Sequence, residues 1–162
     1  MTEQIPLDTA DRRILASLQI DGRITNQKLC QEIGLSPGAT HERVRKLRAS
    51  GIIQSIEARL DPRKLGLGLL VFLQVQMERT AGDLLDGFSQ AIGAVPEVLE
   101  CHMVAGGFDF LVKLRAKDMD DFRRLLGEIL DEIPGIRETH TYAVMQEVKS
   151  TTALPILVGE RP

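Results

Sequence analysis

The chain has 162 residues and a net charge of −3, from 20 Lys and Arg against 23 Asp and Glu. Its 43% hydrophobic and 27% charged residues are typical of a globular protein and argue against intrinsic disorder. No apolar stretch reaches the roughly 18–20 residues that cross a membrane. No basic segment followed by an apolar core begins the chain, so we expect neither a membrane span nor a secretory signal.

The reactive side chains form no pattern of a metal site or a nucleophilic enzyme. Cys30 and Cys101 are too widely separated for a zinc motif or a disulfide framework, and such thiols fit a reducing cytoplasm. Cys101 and His102 are neighbours on a predicted strand, where their side chains point to opposite faces. No Ser or Thr stands in a recognisable arrangement with a His and an acid. We therefore expect no metal, no cofactor and no catalytic residue.

The sequence pattern in the first third of the chain predicts three short helices. Asp8 begins the first helix as its N-cap, and Asp11 is the acidic partner of a capping box. Thr25 caps the second helix, and Gly34 ends it because glycine adopts positive φ readily. The apolar residues of both helices recur at the spacing of one buried face: Ile14, Leu15, Leu18, Leu29 and Ile33.

The third helix begins at Ser36, its predicted N-cap, and at Pro37, whose missing N–H costs nothing in the first helical position. The short turn of residues 34–36 gives the second and third helices the spacing of a helix-turn-helix. Gly51 ends the third helix. Its predicted inward residues are Thr40, Val44 and Leu47.

The outer face of this third helix concentrates positive charge. Residues 36–50 hold four Lys or Arg and one acid, Glu42, which is a local charge of +3. Arginine forms bidentate hydrogen bonds with guanine or phosphate, and Ser36 with the free N–H groups of the helix start can hold a phosphate oxygen. The alternative is a solvated basic face, with Glu42 and Lys46 as a helix pair worth about 0.2–0.5 kcal/mol. The outer residues are His41, Arg45 and Arg48, flanked by Arg43 and Lys46.

A change in composition after the third helix separates two domains. Alternation at Ile56, Ala58 and Leu60 predicts a strand within residues 52–60, and the Pro, Gly and charge of residues 61–66 predict a hinge. We expect a helix-turn-helix domain over 1–54, a hinge strand and linker over 55–67, and a second domain over 68–162.

The net charge divides unevenly at this hinge. Up to Asp61 the chain has 9 basic and 8 acidic residues, and beyond it 11 basic and 15 acidic residues. The acidity of the whole chain therefore belongs to the second domain, and the helix-turn-helix domain is slightly basic.

The second domain predicts the element order βαββαβ of a ferredoxin-like fold. The predicted strands cover residues 71–77, 98–104, 110–115 and 139–148. One helix has Leu84, Leu85, Phe88 and Ile92 on its apolar face. The other begins at the cap Asp118, and its amphipathic pattern consists of Met119, Phe122, Leu125, Leu126, Ile129 and Ile133. Both helices cover one face of the sheet, and we expect the bare face to pair with a second copy of the chain.

The turn Gly106-Gly107-Phe108-Asp109 between two of these strands has two readings. It can be an ordinary turn in which Asp109 bonds its own backbone. It can also be part of a small-molecule pocket, where bare backbone N–H groups meet a carboxylate and Asp109 meets an ammonium. An amino acid carries both charges.

Motifs spread from Leu7 to about Pro155 carry a family resemblance. Those of the first domain are LDTADRRIL (7–15), GLSP (34–37), ERVRKL (42–47) and GII (51–53). Those of the second are ECH (100–102), FDFL (108–111), LLGE (125–128), PGI (134–136) and THTYAVM (139–145). With these motifs in this order, the chain resembles the Lrp/AsnC family of leucine-responsive and asparagine-responsive regulators.

The resemblance implies an α+β protein: an N-terminal winged helix-turn-helix domain followed by a ferredoxin-like βαββαβ (ACT-like, RAM) domain. It implies a cytoplasmic regulator of amino-acid metabolism that binds double-stranded DNA and forms dimers and then octamers or similar rings. The residues nearest DNA would be Ser36, Gly38, His41, Arg43 and Arg45. An amino-acid effector would bind at a dimer–dimer contact, at Gly106, Gly107, Asp109, Met119, Thr139, Thr141, Tyr142 and Ala143. The alternatives from other classes are a ligand-binding ferredoxin-like module and a small metabolic enzyme, neither acting on DNA.

Overall fold

The computed structural model describes residues 5–78 and 82–156. The chain divides into two compact units: one extends to Arg59 and takes in the segment from Ser150 onward, and the other is Leu60–Lys149. The first division point lies inside the predicted linker of residues 55–67. Within the described ranges, no helix is long and apolar enough to span a membrane.

The first unit contains three helices, each begun by the residue that the sequence predicts. Helix α1 is Thr9–Ile20, α2 is Asn26–Ile33 and α3 is Pro37–Ala49. Asp8 and Asp11 form a reciprocal capping box at α1, and the Thr25 and Ser36 hydroxyls accept from backbone N–H groups at α2 and α3. Gly34 follows α2 with φ of 77°, a conformation that glycine adopts at little cost.

The apolar faces of the three helices meet in one core, and Thr40 of α3 lies within it. Its side chain is fully buried, and the hydroxyl has no hydrogen-bond partner among the described residues. A buried hydroxyl without a partner has lost its water contacts and gained nothing in return. The buried apolar residues of the core are Ile14, Leu15, Leu29, Ile33 and Leu47.

The C-terminal segment packs with the helices, although residues 68–162 are predicted to form the second domain. The Gln19 side-chain amide donates to the Leu154 carbonyl (3.0 Å) and accepts from the Leu154 N–H (2.6 Å). Ile156 packs against the helix core. The chain therefore returns to its first unit after completing the second.

The second unit has the predicted order βαββαβ. Its elements are β1 (Leu69–Met77), α4 (Gly82–Gly93), β2 (Val98–Met103), β3 (Phe110–Ala116), α5 (Met119–Glu132) and β4 (Ile136–Ala143). The four strands form one antiparallel sheet in the order β2-β3-β1-β4. The predicted α+β class and ferredoxin-like sheet are thereby confirmed.

Side-chain alternation along the central strands separates a core face from an open face. Val71, Leu73 and Val75 of β1 are fully buried, as are Val112 and Leu114 of β3. Helices α4 and α5 close this side with Phe88, Ile92, Phe122, Leu125 and Ile129. On the open face, strand register places Phe72 between Lys113 and Tyr142.

The strand predicted within residues 52–60 is wrong for the described chain. No strand is present there, and all residues from Gln54 to Leu60 are exposed. A strand is stable only when its backbone pairs with a neighbour, and these residues pair with none of the described strands. Ile52 and Ile53 instead pack against the helix core.

The last strand is shifted from its predicted range of residues 139–148. It starts at Ile136, opposite Met77, and ends at Ala143, opposite Val71. Val144 adds one further hydrogen bond, from its N–H to the Leu70 carbonyl. Because β1 begins at Leu69, which this register places opposite Met145, residues beyond Met145 have no facing β1 backbone with which to pair.

Replacing Thr40 with valine should stabilise the protein. The substitution keeps the branched shape and removes the unpartnered hydroxyl, so we expect the free energy of unfolding to rise by about 1 kcal/mol. Thr40→Ser is the matched control, because it keeps the hydroxyl and loses a methyl group, at a cost of about 0.8 kcal/mol. Denaturant unfolding measures both. A less stable Thr40→Val variant would contradict the expectation.

Candidate nucleic-acid interface and ligand region

The start of α3 presents backbone N–H groups and little side-chain bulk to solvent. The Ser36 hydroxyl accepts from the Ala39 N–H at 3.3 Å, and Pro37 occupies the first turn. Gly38 is exposed, and a Cβ added there would meet nothing within 4 Å. A helix N-terminus of this kind attracts anions through its unpaired donors and its dipole.

The outer face of α3 carries the predicted basic side chains, and Glu42 organises two of them. Arg45 forms a bidentate pair with Glu42, with Nε and Nη2 at 2.9 and 2.7 Å from the carboxylate oxygens. Lys46 Nζ lies 3.9 Å from the same carboxylate. The hydrogen bond from Arg45 is the main cause that lowers the pKa of Glu42. His41 and Arg48 are exposed, and neither has an ion-pair partner among the described residues.

Arg43 differs from the other basic residues because it reaches back to α1. Its Nη1 lies 2.7 Å from Asp8 Oδ2 and 2.8 Å from Asp11 Oδ1, so one guanidinium nitrogen bridges both acids of the capping box. The pKa of Asp8 is lowered first by the Asp11 N–H and then by Arg43. Arg43 therefore ties α3 to the start of α1.

The predicted ligand residues of the β2–β3 turn lie beside the end of β1. Gly106 and Gly107 are exposed. Asp109 accepts from the Met77 N–H through Oδ2 at 2.8 Å, and its own N–H donates to the Val75 carbonyl at 3.0 Å. The Asp109 carboxylate and N–H thus both bond the backbone of β1.

The predicted ligand residues of β4 point to both faces of the sheet. Thr139, Thr141 and Ala143 are paired with the buried residues Val75, Leu73 and Val71, and directly paired residues share a face. Tyr142 is paired with Phe72 on the open face, where its hydroxyl donates to Gln74 Oε1 at 3.3 Å.

One chain does not bring the eight predicted ligand residues together. The Asp109 N–H bonds the Val75 carbonyl of β1. Met119 begins α5, three residues after Ala116, and Ala116 pairs with Leu69 of β1. Val75 and Leu69 are six residues apart on one strand, a separation of roughly 20 Å at 3.3–3.4 Å per residue. The set is therefore spread along the sheet, with Asp109 near one end, Met119 near the other and the β4 residues between them.

Two ion pairs of the second unit were not predicted. Lys113 Nζ lies 2.7 Å from Glu100 Oε1, and Arg115 Nη2 lies 2.7 Å from Glu147 Oε1. Their hydrogen bonds are the main causes that lower the pKa of Glu100 and of Glu147. Strand alternation places Lys113 and Arg115 on the open face, but no local pattern identifies their acidic partners. Among the described residues, no group of three or more His, Cys, Asp or Glu is arranged to hold a metal ion.

Both units match known protein families. Residues 7–54 match the family described as winged helix-turn-helix DNA-binding, and residues 70–154 match the Lrp/AsnC ligand binding domain. The leucine-responsive regulatory proteins of Escherichia coli K12 and Klebsiella pneumoniae are each 47% identical over 150 residues, which is 93% of this chain and 92% of theirs.

Solved structures agree with these sequence matches. A transcriptional regulator of Neisseria meningitidis, solved as a complex with L-methionine, is 34% identical with a TM-score of 0.88, covering 93% of this chain and 97% of that one. An AsnC family regulator of Agrobacterium tumefaciens is 29% identical with a TM-score of 0.89, covering 92% and 97%.

Replacing Arg43 with glutamine should lower the melting temperature by a few degrees at neutral pH, because α3 loses its tie to the capping box. A carboxylate with a lowered folded pKa contributes stability above its ordinary value of about 3.9, and that contribution is lost as pH falls through the folded value. The difference in melting temperature between wild type and Arg43→Gln should therefore become smaller at acidic pH. Thermal unfolding followed by circular dichroism measures both effects.

Arg13→Gln is the matched control for this experiment, since it removes the same charge from an exposed position of α1. It should leave the melting temperature nearly unchanged. Equal melting temperatures for Arg43→Gln and wild type at neutral pH would show that the bridge contributes nothing.

Proposed function

Because the chain belongs to the Lrp/AsnC family of DNA-binding transcriptional regulators, we propose that α3 is its recognition helix and that an amino acid bound by the sheet domain modulates its DNA binding. Members of this family are regulators rather than enzymes, which confirms the prediction that the chain is not an enzyme. The observation that carries the proposal is the exposed basic face of α3, placed directly after a helix-turn-helix turn.

We assign the α3 residues to three tasks. Ser36 and the bare helix start at Gly38 receive a backbone phosphate, which fixes the register of the protein on the duplex. His41, Arg45 and Arg48 face the base edges, where arginine is suited to guanine. Lys46 contacts a phosphate as a point charge. Arg43, predicted beside DNA, acts chiefly by holding α3 on α1 through Asp8 and Asp11.

Glu42 has a supporting role in this scheme. Its bidentate pair holds the Arg45 guanidinium in one plane on the surface, and an arginine that is already oriented loses less conformational freedom when it binds a base. The acid also reduces the positive charge of the helix, which weakens attraction to DNA of any sequence. Both effects favour selective binding over indiscriminate binding.

The effector that suits the sheet domain is an apolar amino acid. The Neisseria meningitidis relative was solved with L-methionine, and the relatives at 47% identity are leucine-responsive. In our proposal the backbone N–H groups of Gly106 and Gly107 meet the carboxylate, and Asp109 meets the ammonium. Thr139, Thr141, Tyr142, Ala143 and Met119 complete the region.

We propose that this site is completed between copies of the chain. Asp109 and Met119 lie near opposite ends of one sheet. A compact ligand therefore cannot touch both within one protomer. In a homodimer that assembles to an octamer or similar ring, a neighbouring copy supplies Met119. Two-fold symmetry of the dimer then favours paired, roughly palindromic half-sites about one helical turn or a multiple apart. We place the protein in the cytoplasm, where its DNA lies.

The recognition helix is tested by selecting duplexes from a randomised pool and measuring affinity for a selected duplex at several salt concentrations. Arg45→Gln should weaken binding by about 1–3 kcal/mol if Arg45 reads a base, and it should relax sequence preference at one position. Arg123→Gln, on the exposed face of α5, removes the same charge and should leave the affinity unchanged.

The salt dependence checks the electrostatic part of this proposal. Contact with roughly 6–10 phosphates costs about 10³–10⁵ in affinity between 50 and 200 mM salt. A flat salt dependence, or an Arg45→Gln variant that binds the selected duplex as tightly as wild type, would count against α3 as the recognition helix.

The effector site is tested with Asp109→Asn, using L-leucine and L-methionine as probes in isothermal titration calorimetry. Asparagine keeps an oxygen that accepts from the Met77 N–H, so the sheet should fold, but it removes the charge that would meet the ammonium. We expect binding of either probe to be lost and ligand-free DNA binding to remain. Asp86→Asn, at an exposed position of α4, is the matched control. Undiminished binding by Asp109→Asn would exclude this assignment.

A further inference from the structure

The two units are joined by two stretches of chain rather than one. The chain leaves the helical unit after Arg59 and returns to it after Lys149. The first stretch includes Leu67, just before β1, and the second follows β4 and includes Glu147. A single linker restricts only the distance between two domains, whereas two linkers also restrict their relative rotation.

In the sheet unit, Arg115 of β3 holds both stretches. Its Nη2 lies 2.7 Å from Glu147 Oε1 and its Nη1 lies 3.4 Å from the Leu67 carbonyl oxygen. The Arg115 side chain is only 11% exposed and that of Glu147 25%, so solvent screens this pair weakly. The pKa of Glu147 is lowered mainly by Arg115, with a smaller contribution from Arg63 of the first stretch.

In the helical unit, the ends of the two stretches are bonded directly to each other. The Arg59 guanidinium donates to the Ser150 carbonyl, which joins the last residue before one crossing to the first residue after the other. Further along, Gln19 of α1 forms its two hydrogen bonds with the Leu154 backbone, and Ile156 packs on the helix core. The returning segment is therefore fastened to α1 and not merely a free tail.

We propose that Arg115 is a positioning residue, and that residues 144–156, held by Arg115 at one end and by Gln19 at the other, carry the effector signal to the DNA-binding unit. This inference rests on the proposed function. Residues 139–143, the proposed effector segment, lead directly into residues 144–156. A ligand that displaces β4 therefore displaces a segment fastened to α1, which α3 contacts through Arg43. A ligand shifts such an equilibrium only through its different affinities for the two arrangements.

Two variants interrupt this segment at different ends. Gln19→Ala removes both bonds to Leu154 at an exposed position of α1. The double variant Arg115→Gln with Glu147→Gln removes the ion pair without leaving a buried charge unpaired, which would be strongly destabilising. Gln90→Ala on α4 and Arg124→Gln on α5 are matched controls at exposed positions.

Three quantities are measured for each full-length protein: affinity for L-leucine or L-methionine, affinity for a selected duplex without ligand, and the change in duplex affinity when ligand is added. For wild type we expect a change of about 5–150-fold, the usual range of allosteric coupling. In both variants the change should fall below about twofold, while the two separate affinities stay within about twofold of wild type. A merely structural role would lower the melting temperature and leave the coupling intact. Light scattering records whether assembly is unchanged.

The outcomes separate this inference from the proposed function. Coupling that persists in both variants, or that is lost equally in the two controls, would overturn the role of residues 144–156 and leave the proposed function standing. A wild-type protein whose duplex affinity responds to neither amino acid would overturn both. If the double variant does not fold, Gln19→Ala decides the question by itself.

Discussion

The backbone pairing of β1 is the constraint on which the sheet domain depends. The strand is hydrogen-bonded to β3 on one side and to β4 on the other, and Val71, Leu73 and Val75 are fully buried. A slip of one residue would turn this row out of the core, so burial sets the register. That register places Asp109 beside the end of β1 and Tyr142 opposite Phe72. The chemistry available at the ligand region is thus a consequence of which face of β1 is buried.

Burial of one face also determines which side chains of α3 are exposed. Thr40 and Leu47 are buried, which directs the residues of the opposite face to solvent. Arg43 lies at the boundary between these faces, and it bonds Asp8 and Asp11 while Arg45 and Arg48 remain exposed. Packing therefore divides one basic helix into a side chain that holds the helix and side chains that are available to a ligand. Charge alone does not distinguish them.

The two units differ in net charge. The helical unit is slightly basic and carries its excess on α3, while the sheet unit is acidic. Under the proposed function, an acidic sheet unit would be repelled by the duplex that the basic helix attracts. Within the acidic unit, Arg115 is a largely buried cation that contacts both stretches of chain leading to the helical unit.

The sequence by itself determined the elements whose signals are local. The caps Asp8, Thr25, Ser36 and Asp118 and the apolar faces of the helices depend on residues three or four positions apart. The structure has the caps as predicted. It has the apolar faces as predicted except at Met119, which is exposed at the first position of α5. Together with the ordered motifs, they were enough for the fold class, the family and the position of the basic helix.

Only the tertiary structure decided which distant residues meet. The Arg43 bridge, the bond from Met77 to Asp109, the Arg115–Glu147 pair and the return of Leu154 to Gln19 each join residues more than thirty positions apart. Residues 52–60 alternate as a strand does. Alternation is a property of one segment, whereas a stable strand needs a second segment with which to pair. A local sequence pattern shows which side chains of a segment can be buried. Which partner it meets depends on the whole chain, because the entropy of closing a long loop is offset only by contacts formed at both of its ends.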